Sequence, residues 1–320
     1  MASTQTEALR VGYVPGIGPS TLDTHAASQL TNTPAEHFST PLHLAQQHNF
    51  YGSTTVSFHP FPSGTGHMIQ SLRANEIDVA IGLTEGWIAG IKGALKADWY
   101  RVIGGYVSSP LCWAISTGAG RDVTVPGLKD GAKVGISRYG SGSHIMSFVL
   151  AQQNGWLQKH SDKAPSSPFE FIVLNNFQKL RDAVNGGGAD VFMWEHFTSK
   201  KFYDSGEIAR IGEIYTPWPS WLITARAELT AAKDARLAEF MDGVNKGIAL
   251  FKEDVEQGIA WITANLEYSE ADAREWRKGV KFVDNVKVVD PRMVESVVNI
   301  LKEAGVVEQS ETPDGVIASV

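Results

Sequence analysis

A chain of 320 residues exceeds a single typical domain of roughly 100 to 200 residues and has room for two lobes. Its 43% hydrophobic and 20% charged content is that of a soluble globular protein, while a net charge of -7 with scattered Lys and Arg argues against nucleic acid as a partner. Cys112 is the only cysteine, which removes intrachain disulfides and cysteine-based metal centres.

The segment Met1 to Glu7 has neither the basic region nor the apolar stretch of an export signal. No run approaches the roughly 20 apolar residues of a membrane span. The expectation is a cytoplasmic protein without membrane insertion.

In chain order, Leu9 to Val14 reads as a strand followed by a loop rich in Pro, Gly and Ser. Thr33-Pro-Ala-Glu36 is a capping box with proline at the first helical position, and it predicts a helix whose apolar stripe passes through Phe38, Leu42 and Ala45. A strand at Thr54 to His59, a helix from Gly66 to Ala74 and a strand at Asp78 to Leu83 follow. The layout then repeats. Lys133 to Ser137 is a strand, Ser143 to Gln153 a helix, Phe169 to Leu174 a strand, Phe177 to Val184 a helix and Asp190 to Trp194 a strand. Gly186, Gly187 and Gly188 supply the helix stop. Strands separated by helices predict parallel sheets with right-handed crossovers, so two such units predict two similar lobes.

Tyr106 to Ser116 and Glu213 to Thr224 are extended, apolar and broken by proline. They read as two crossings, out and back, which divide the chain into lobe I (1–109 and 222–320) and lobe II (110–221). The remainder is helical. Leu237, Phe240, Met241, Val244 and Ile248 share a face, and Asp290-Pro291 caps a helix presenting Met293, Val297 and Leu301. This tail is expected on lobe I, with the chain frayed before about residue 8 and after about residue 308.

In open parallel α/β sheets, ligands lie beyond the carboxyl ends of the strands. Ser63, Gly64, Thr65 and Gly66 occupy such a loop and open a helix, where hydroxyls and free N–H groups suit an anionic or carbonyl group. Ile69 replaces the third glycine of a dinucleotide fingerprint, so no nucleotide cofactor is expected. The counterpart loop holds Arg138, Ser141, Gly142, Ser143 and His144, with Arg138 offering a fork of donors. Both loops also read as ordinary helix caps. The third strand of each half ends in a carboxylate, at Thr84-Glu85 and Trp194-Glu195. These could meet an amino group, act as acid and base, or form surface ion pairs. Trp194, Trp218 and Trp221 could wall a flat ring. His37, His43 and His48 do not share a helix face, so no metal is expected. No Gly-x-Ser-x-Gly elbow supports a serine hydrolase.

The run Pro41-Leu-His-Leu-Ala-Gln-Gln-His-Asn-Phe50, the segment Pro62-Ser-Gly-Thr-Gly-His-Met68 and Ile77-Asp-Val-Ala-Ile-Gly-Leu-Thr-Glu85 resemble type II periplasmic-binding proteins, in the branches that handle sulfonates, nitrate and thiamine-pyrimidine precursors. Ile136 to His144, Met193 to Phe197 and Ile214 to Pro219 resemble a largely fungal, intracellular subgroup of unassigned function. The resemblance spans nearly the whole chain. It implies two lobes closing on a ligand by hinge motion, with ligand loops at Ser63 to Gly66, Thr84 to Glu85, Arg138 to His144 and Trp194 to Glu195. Exported relatives feed a transporter, and the missing export signal points away from that partner. Fungal pyrimidine synthases of the superfamily carry a cysteine-rich motif that this chain lacks, so their activity is not implied.

The reading is therefore a binder of a small polar metabolite, either an amino heterocycle of the thiamine-pyrimidine kind or a small anion. The alternative is a cytosolic cofactor-biosynthesis lyase or synthase with Glu85 or Glu195 as base.

Overall fold

The computed structural model describes residues 7–14, 37–61, 63–157, 166–266 and 268–320. The strands are β1 (Leu9–Tyr13), β2 (Val56–Pro60), β3 (Val79–Leu83), β4 (Tyr100–Val107), β5 (Cys112–Gly118), β6 (Lys133–Ile136), β7 (Glu170–Val173), β8 (Val191–Glu195), β9 (Ile208–Tyr215) and β10 (Trp221–Arg226). The helices are α1 (Thr40–Gln47), α2 (Thr65–Arg73), α3 (Thr84–Lys92), α4 (Gly142–Gln153), α5 (Phe177–Asn185), α6 (His196–Asp204), α7 (Ala227–Ala231), α8 (Ala235–Glu253), α9 (Val255–Asn265), α10 (Glu270–Gly279) and α11 (Pro291–Glu303).

The strands form two five-stranded sheets, ordered β2-β1-β3-β10-β4 and β7-β6-β8-β5-β9. Val11 and Gly12 of β1 pair in parallel with Val79 and Ala80 of β3, and Val134 and Gly135 of β6 pair in parallel with Val191 and Phe192 of β8. β10 runs antiparallel to both its neighbours, as β5 does in the other sheet. Helices flank both sheets, so the central strands are covered on two faces. That is why β3 and β8 read as continuous apolar runs rather than alternating ones.

Between β4 and β5 the chain passes from the first sheet to the second, and between β9 and β10 it returns. The two crossings run side by side. Leu111 N–H donates to Thr216 Oγ1 at 2.9 Å, Thr216 N–H to Leu111 O at 3.1 Å, and Ser220 Oγ to Ser109 O at 2.8 Å. Backbone groups freed by the proline-rich segments are thus satisfied between the crossings themselves.

The C-terminal helices pack on the first sheet and its helices, with Leu237, Phe240, Met241, Val244 and Ile248 of α8 buried. Asp290 caps α11 by accepting from Arg292 N–H, and Val297 and Leu301 are buried there as the periodicity predicts. The capping box at Thr33 to Glu36 lies outside the described residues. Within them the helix begins as a 3-10 turn at His37–Ser39, with Phe38, Leu42 and Ala45 all buried. The expected fraying after residue 308 is corrected by the structure: Val316 is buried, and Val316 O and Ala318 N–H bond to the backbone of Val102 at the edge of β4. A short apolar strip docks there, and it is too short to carry a period. No helix among the described residues is long and apolar enough to cross a membrane.

Candidate functional site

The carboxyl ends of β1, β3, β6, β7 and β8 meet at a cleft of about 330 Å³ between the two lobes. Ser63, Gly64, Thr65 and Glu85 line it from one side, and Arg138, Ser141, Gly142, Ser143, Trp194 and Glu195 from the other. The two sequence-predicted loops therefore face one another.

Each loop is shaped by local bonds. Gly64 precedes α2 with φ +70, a left-handed conformation that suits glycine, and no side chain caps this helix. The first N–H groups of α2 consequently lack acceptors within the helix. Thr65 Oγ1 accepts from Leu83 N–H at 3.0 Å, tying the loop to β3. In the opposite loop, Ser141 Oγ donates to Arg138 O at 2.7 Å and lies 2.9 Å from Ser143 Oγ, which accepts from Ser137 N–H at 3.2 Å. These hydroxyls fix the loop that projects Arg138. The guanidinium of Arg138 has no ion-pair partner among the described residues, and burial lowers its affinity for its proton.

Four predicted residues stand behind the wall instead of in it. Thr84 turns toward the second crossing, where its hydroxyl donates to Pro219 O at 2.5 Å. Trp218 also sits on that crossing, and its indole N–H donates to Glu85 Oε2 at 3.0 Å. Gly66 is where Arg138 passes: a Cβ there would stand 2.5 Å from the guanidinium. His144 packs among Tyr139, Phe148 and Phe171, and its Nδ1 accepts from Gly140 N–H at 3.2 Å.

The two carboxyls differ. Glu195 spends its oxygens as the cap of α6, accepting from Phe197 N–H at 3.1 Å and Thr198 N–H at 2.6 Å. Burial nevertheless pushes its pKa up. Glu85 is fully buried, and burial pushes its pKa to about 7 against the opposing effects of its own backbone N–H and Trp218. Its Oε1 has no hydrogen-bond partner. Neither carboxyl forms an ion pair among the described residues.

Further lining residues escaped the loop reading. Trp113 on β5 is one; Trp221 on β10, expected from the sequence as part of an aromatic wall, does line the cleft, and both bury an indole N–H without an acceptor. Asn175, Asn176, Phe177 and Gln178 come from the β7–α5 turn, where Asn175 holds φ +68. Phe177 stacks on Trp194 with ring centroids 5.0 Å apart. The Asn-Asn pair after a predicted strand was a usable turn signal. No group of three His, Cys, Asp or Glu side chains among the described residues could hold a metal ion.

A cleft between two such sheets, each completed by one antiparallel strand after a crossing, defines the class of two-lobed periplasmic-binding-protein folds. A family model described as Ca3427-like PBP matches residues 113–214. The Candida albicans CA3427 gene product, whose structure is described as defining a new family with the generic periplasmic binding protein fold, is 39% identical with a TM-score of 0.81, over 98% of this chain and 96% of that one. The chain belongs to this Ca3427-like family. The Escherichia coli aliphatic sulphonate binding protein SsuA shares the fold at 17% identity and a TM-score of 0.68, over 98% of each chain. So does the alkanesulfonate-binding SsuA of Xanthomonas axonopodis pv. citri bound to MOPS, at 13% identity and a TM-score of 0.69, over 99% of this chain and 100% of that one. No protein with a curated description matches the chain.

Proposed function

We propose that this protein reversibly binds a small polar metabolite in the interlobe cleft, by an acceptor-rich end, a flat middle and an amino group. One observation carries the reading: unpaired polar groups from both lobes converge on one cavity. They are the buried indole N–H groups of Trp113 and Trp221 and the buried Glu85 Oε1, joined by the exposed guanidinium of Arg138, which has no ion-pair partner among the described residues. Buried polar groups without partners are rare in folded proteins and call for an explanation, which an occupant supplies. The cavity volume falls at the low end of small-ligand sites.

Donors dominate this cleft. Arg138 and the first-turn N–H groups of α2 and α4 favour a carbonyl, phosphate or sulfonate oxygen. The rings of Trp194 and Phe177 offer a stacking face to a planar group. Among the described residues Glu85 Oε1 is the one buried acceptor without a partner in the cleft, and it suits an exocyclic amine. An aminopyrimidine carrying an anionic substituent meets all three, whereas a plain sulfonate meets the first alone. Lobes divided near 109/110 and 221/222 would rotate about the paired crossings, and contacts from both sides would favour the closed arrangement.

Native mass spectrometry of freshly purified protein, followed by calorimetric titration with 4-amino-5-hydroxymethyl-2-methylpyrimidine phosphate and with ethanesulfonate, tests the reading. Tighter binding of the aminopyrimidine is expected. Failure to bind either compound would sink it.

A second reading is that of an enzyme in which Glu85 acts as base, favoured by a carboxyl whose pKa of about 7 suits proton transfer at neutral pH. Recovery of the aminopyrimidine unaltered by mass spectrometry decides for binding; turnover decides for catalysis.

We place the protein in the cytoplasm, without a transporter to deliver to. Fluorescent-tag imaging and fractionation would overturn this by finding it at a membrane or outside the cell.

A further inference from the structure

Glu85 holds two positions at once. Its Oε1 is buried, unpartnered and beside the cleft, next to Gly142 of the opposite lobe. Its Oε2 is held by the indole of Trp218, a residue of the second crossing. The adjoining Thr84 is fastened to the same crossing twice, through its N–H to Ser220 O at 3.1 Å and its hydroxyl to Pro219 O at 2.5 Å. The start of α3 is thus bolted to the segment about which the lobes turn.

We propose that Glu85 is a positioning residue that joins a hydrogen-bond donor on the ligand to the crossing that carries Trp218. The proposal deepens the ligand reading above and rests on it for the nature of the donor. A ligand N–H donating to Oε1 favours the carboxylate, so a protonated Glu85 loses its proton to solvent as the ligand binds. The carboxylate also accepts more strongly from the Trp218 indole than the neutral acid does, because hydrogen bonds to ionised acceptors are shorter and stronger. Ligand contact at Oε1 therefore tightens the bond at Oε2, and with it the hold of α3 on the crossing.

The surroundings isolate this group. The charged side chains sharing the cleft are Arg138 from the β6–α4 loop and Glu195 at the end of β8, and neither is ion-paired to Glu85. Trp218, which bonds to it, and Gly142 beside it do not titrate, and neither do Trp113 on β5, Trp221 on β10 and Thr65 on α2, which line the same cleft. The protonation of Glu85 then answers to burial, to its own backbone N–H, to Trp218 and to the occupant.

The first test needs no ligand. In ¹H–¹⁵N spectra, the Trp218 indole resonance, assigned by its loss in Trp218→Phe, should move with pH around a midpoint of about 7. It should stay fixed in Glu85→Gln. An indole flat from pH 5 to 9 in the unaltered protein overturns the proposal whatever the ligand. The second test titrates the aminopyrimidine phosphate and its 4-oxo analogue at pH 6 in bis-Tris and imidazole buffers, whose ionisation heats differ. The unaltered protein should release close to one proton per bound aminopyrimidine and prefer it at least about tenfold over the oxo analogue. Glu85→Gln should release none and lose the preference. Equal preference in both proteins overturns the proposal. Rejection of both compounds while the indole titrates refutes the ligand reading and leaves the coupling standing.

Discussion

The guanidinium of Arg138, carried by one lobe, lies against Gly66 of the other, so close that a Cβ at residue 66 would come within 2.5 Å of Nη2. A cation without a carboxylate partner among the described residues sits here against the space left by a glycine in the facing helix. The glycine matters for the room it leaves and not for its backbone, since it lies within α2.

Gly66→Ala should displace the guanidinium while leaving α2 intact, because alanine favours a helix by roughly 1 kcal/mol over glycine. Affinity for an anionic ligand should fall by about tenfold. Arg138→Ala should cost more than about 1.5 kcal/mol, and adding Gly66→Ala to it should cost little more. Calorimetric titration of the two single variants and the double variant checks this. Additive losses would show that Gly66 acts independently of Arg138.

Gly142 faces a stiffer neighbour. Its Cβ would meet Trp113 Cη2 at 2.5 Å and Glu85 Oε1 at 3.0 Å. An indole packed in a core cannot yield as an arginine tip can, so Gly142→Ala should separate the lobes. The expected results are a larger radius of gyration by small-angle scattering and an affinity at least about tenfold weaker, with an overpacking cost of about 1 to 3 kcal/mol. Unchanged scattering together with unchanged affinity would remove Gly142 from the lobe contact.

Glu85 makes stability depend on pH in an unusual direction. Its pKa rises from 4.5 in the unfolded chain to about 7 in the fold through burial. Folding therefore favours the protonated form. The stabilisation is fully present below pH 4.5 and is lost as pH rises through about 7. With 1.36 kcal/mol per unit, the loss is on the order of 3 kcal/mol. Glu85→Gln should match the unaltered protein near pH 4.5 and exceed its stability at pH 8. Urea unfolding at the two pH values measures the difference.

Asp78 supplies the opposite dependence. Its carboxylate accepts from Arg10 Nε at 3.0 Å, Arg10 Nη2 at 2.8 Å and Arg10 N–H at 2.9 Å, with Arg226 Nε 3.6 Å away. Burial pushes its pKa up, but the bonds from Arg10 outweigh that and hold it below 3.8. Its contribution is present above pH 3.8 and lost as pH falls through the lowered value. Asp78→Asn should cost about 2 kcal/mol at pH 7 and less at pH 3, by the same unfolding measurement.

Much of this architecture is legible in the sequence because buried parallel strands leave strong marks. The apolar runs ending at Leu83 and Trp194 predicted β3 and β8, and the rule that ligands gather at strand carboxyl ends found Ser63 to Thr65 and Arg138 to Ser143. The same rule could not reach Trp113, and Trp221 was legible only as a candidate aromatic wall, because both lie at the start of antiparallel strands just after the crossings. Side-chain direction was the other blind spot. Thr84 and Glu85 are adjacent at a strand-to-helix junction, yet one turns to the crossing and the other to the cleft, and only long-range packing decides which. Trp218 reads as a wall for a ring, whereas its N–H is committed to Glu85.

The placement of β10 sets a timetable for the nascent chain. The second sheet is encoded without interruption from Cys112 to Tyr215, so it can assemble as soon as that stretch has left the ribosome. The first sheet has its gap between β3 and β4 filled only by Trp221 to Arg226, made after every strand of its sister. The earlier-made half must wait with two unpaired inner edges while the later-made half finishes, which exposes it to aggregation or chaperone capture in the interval.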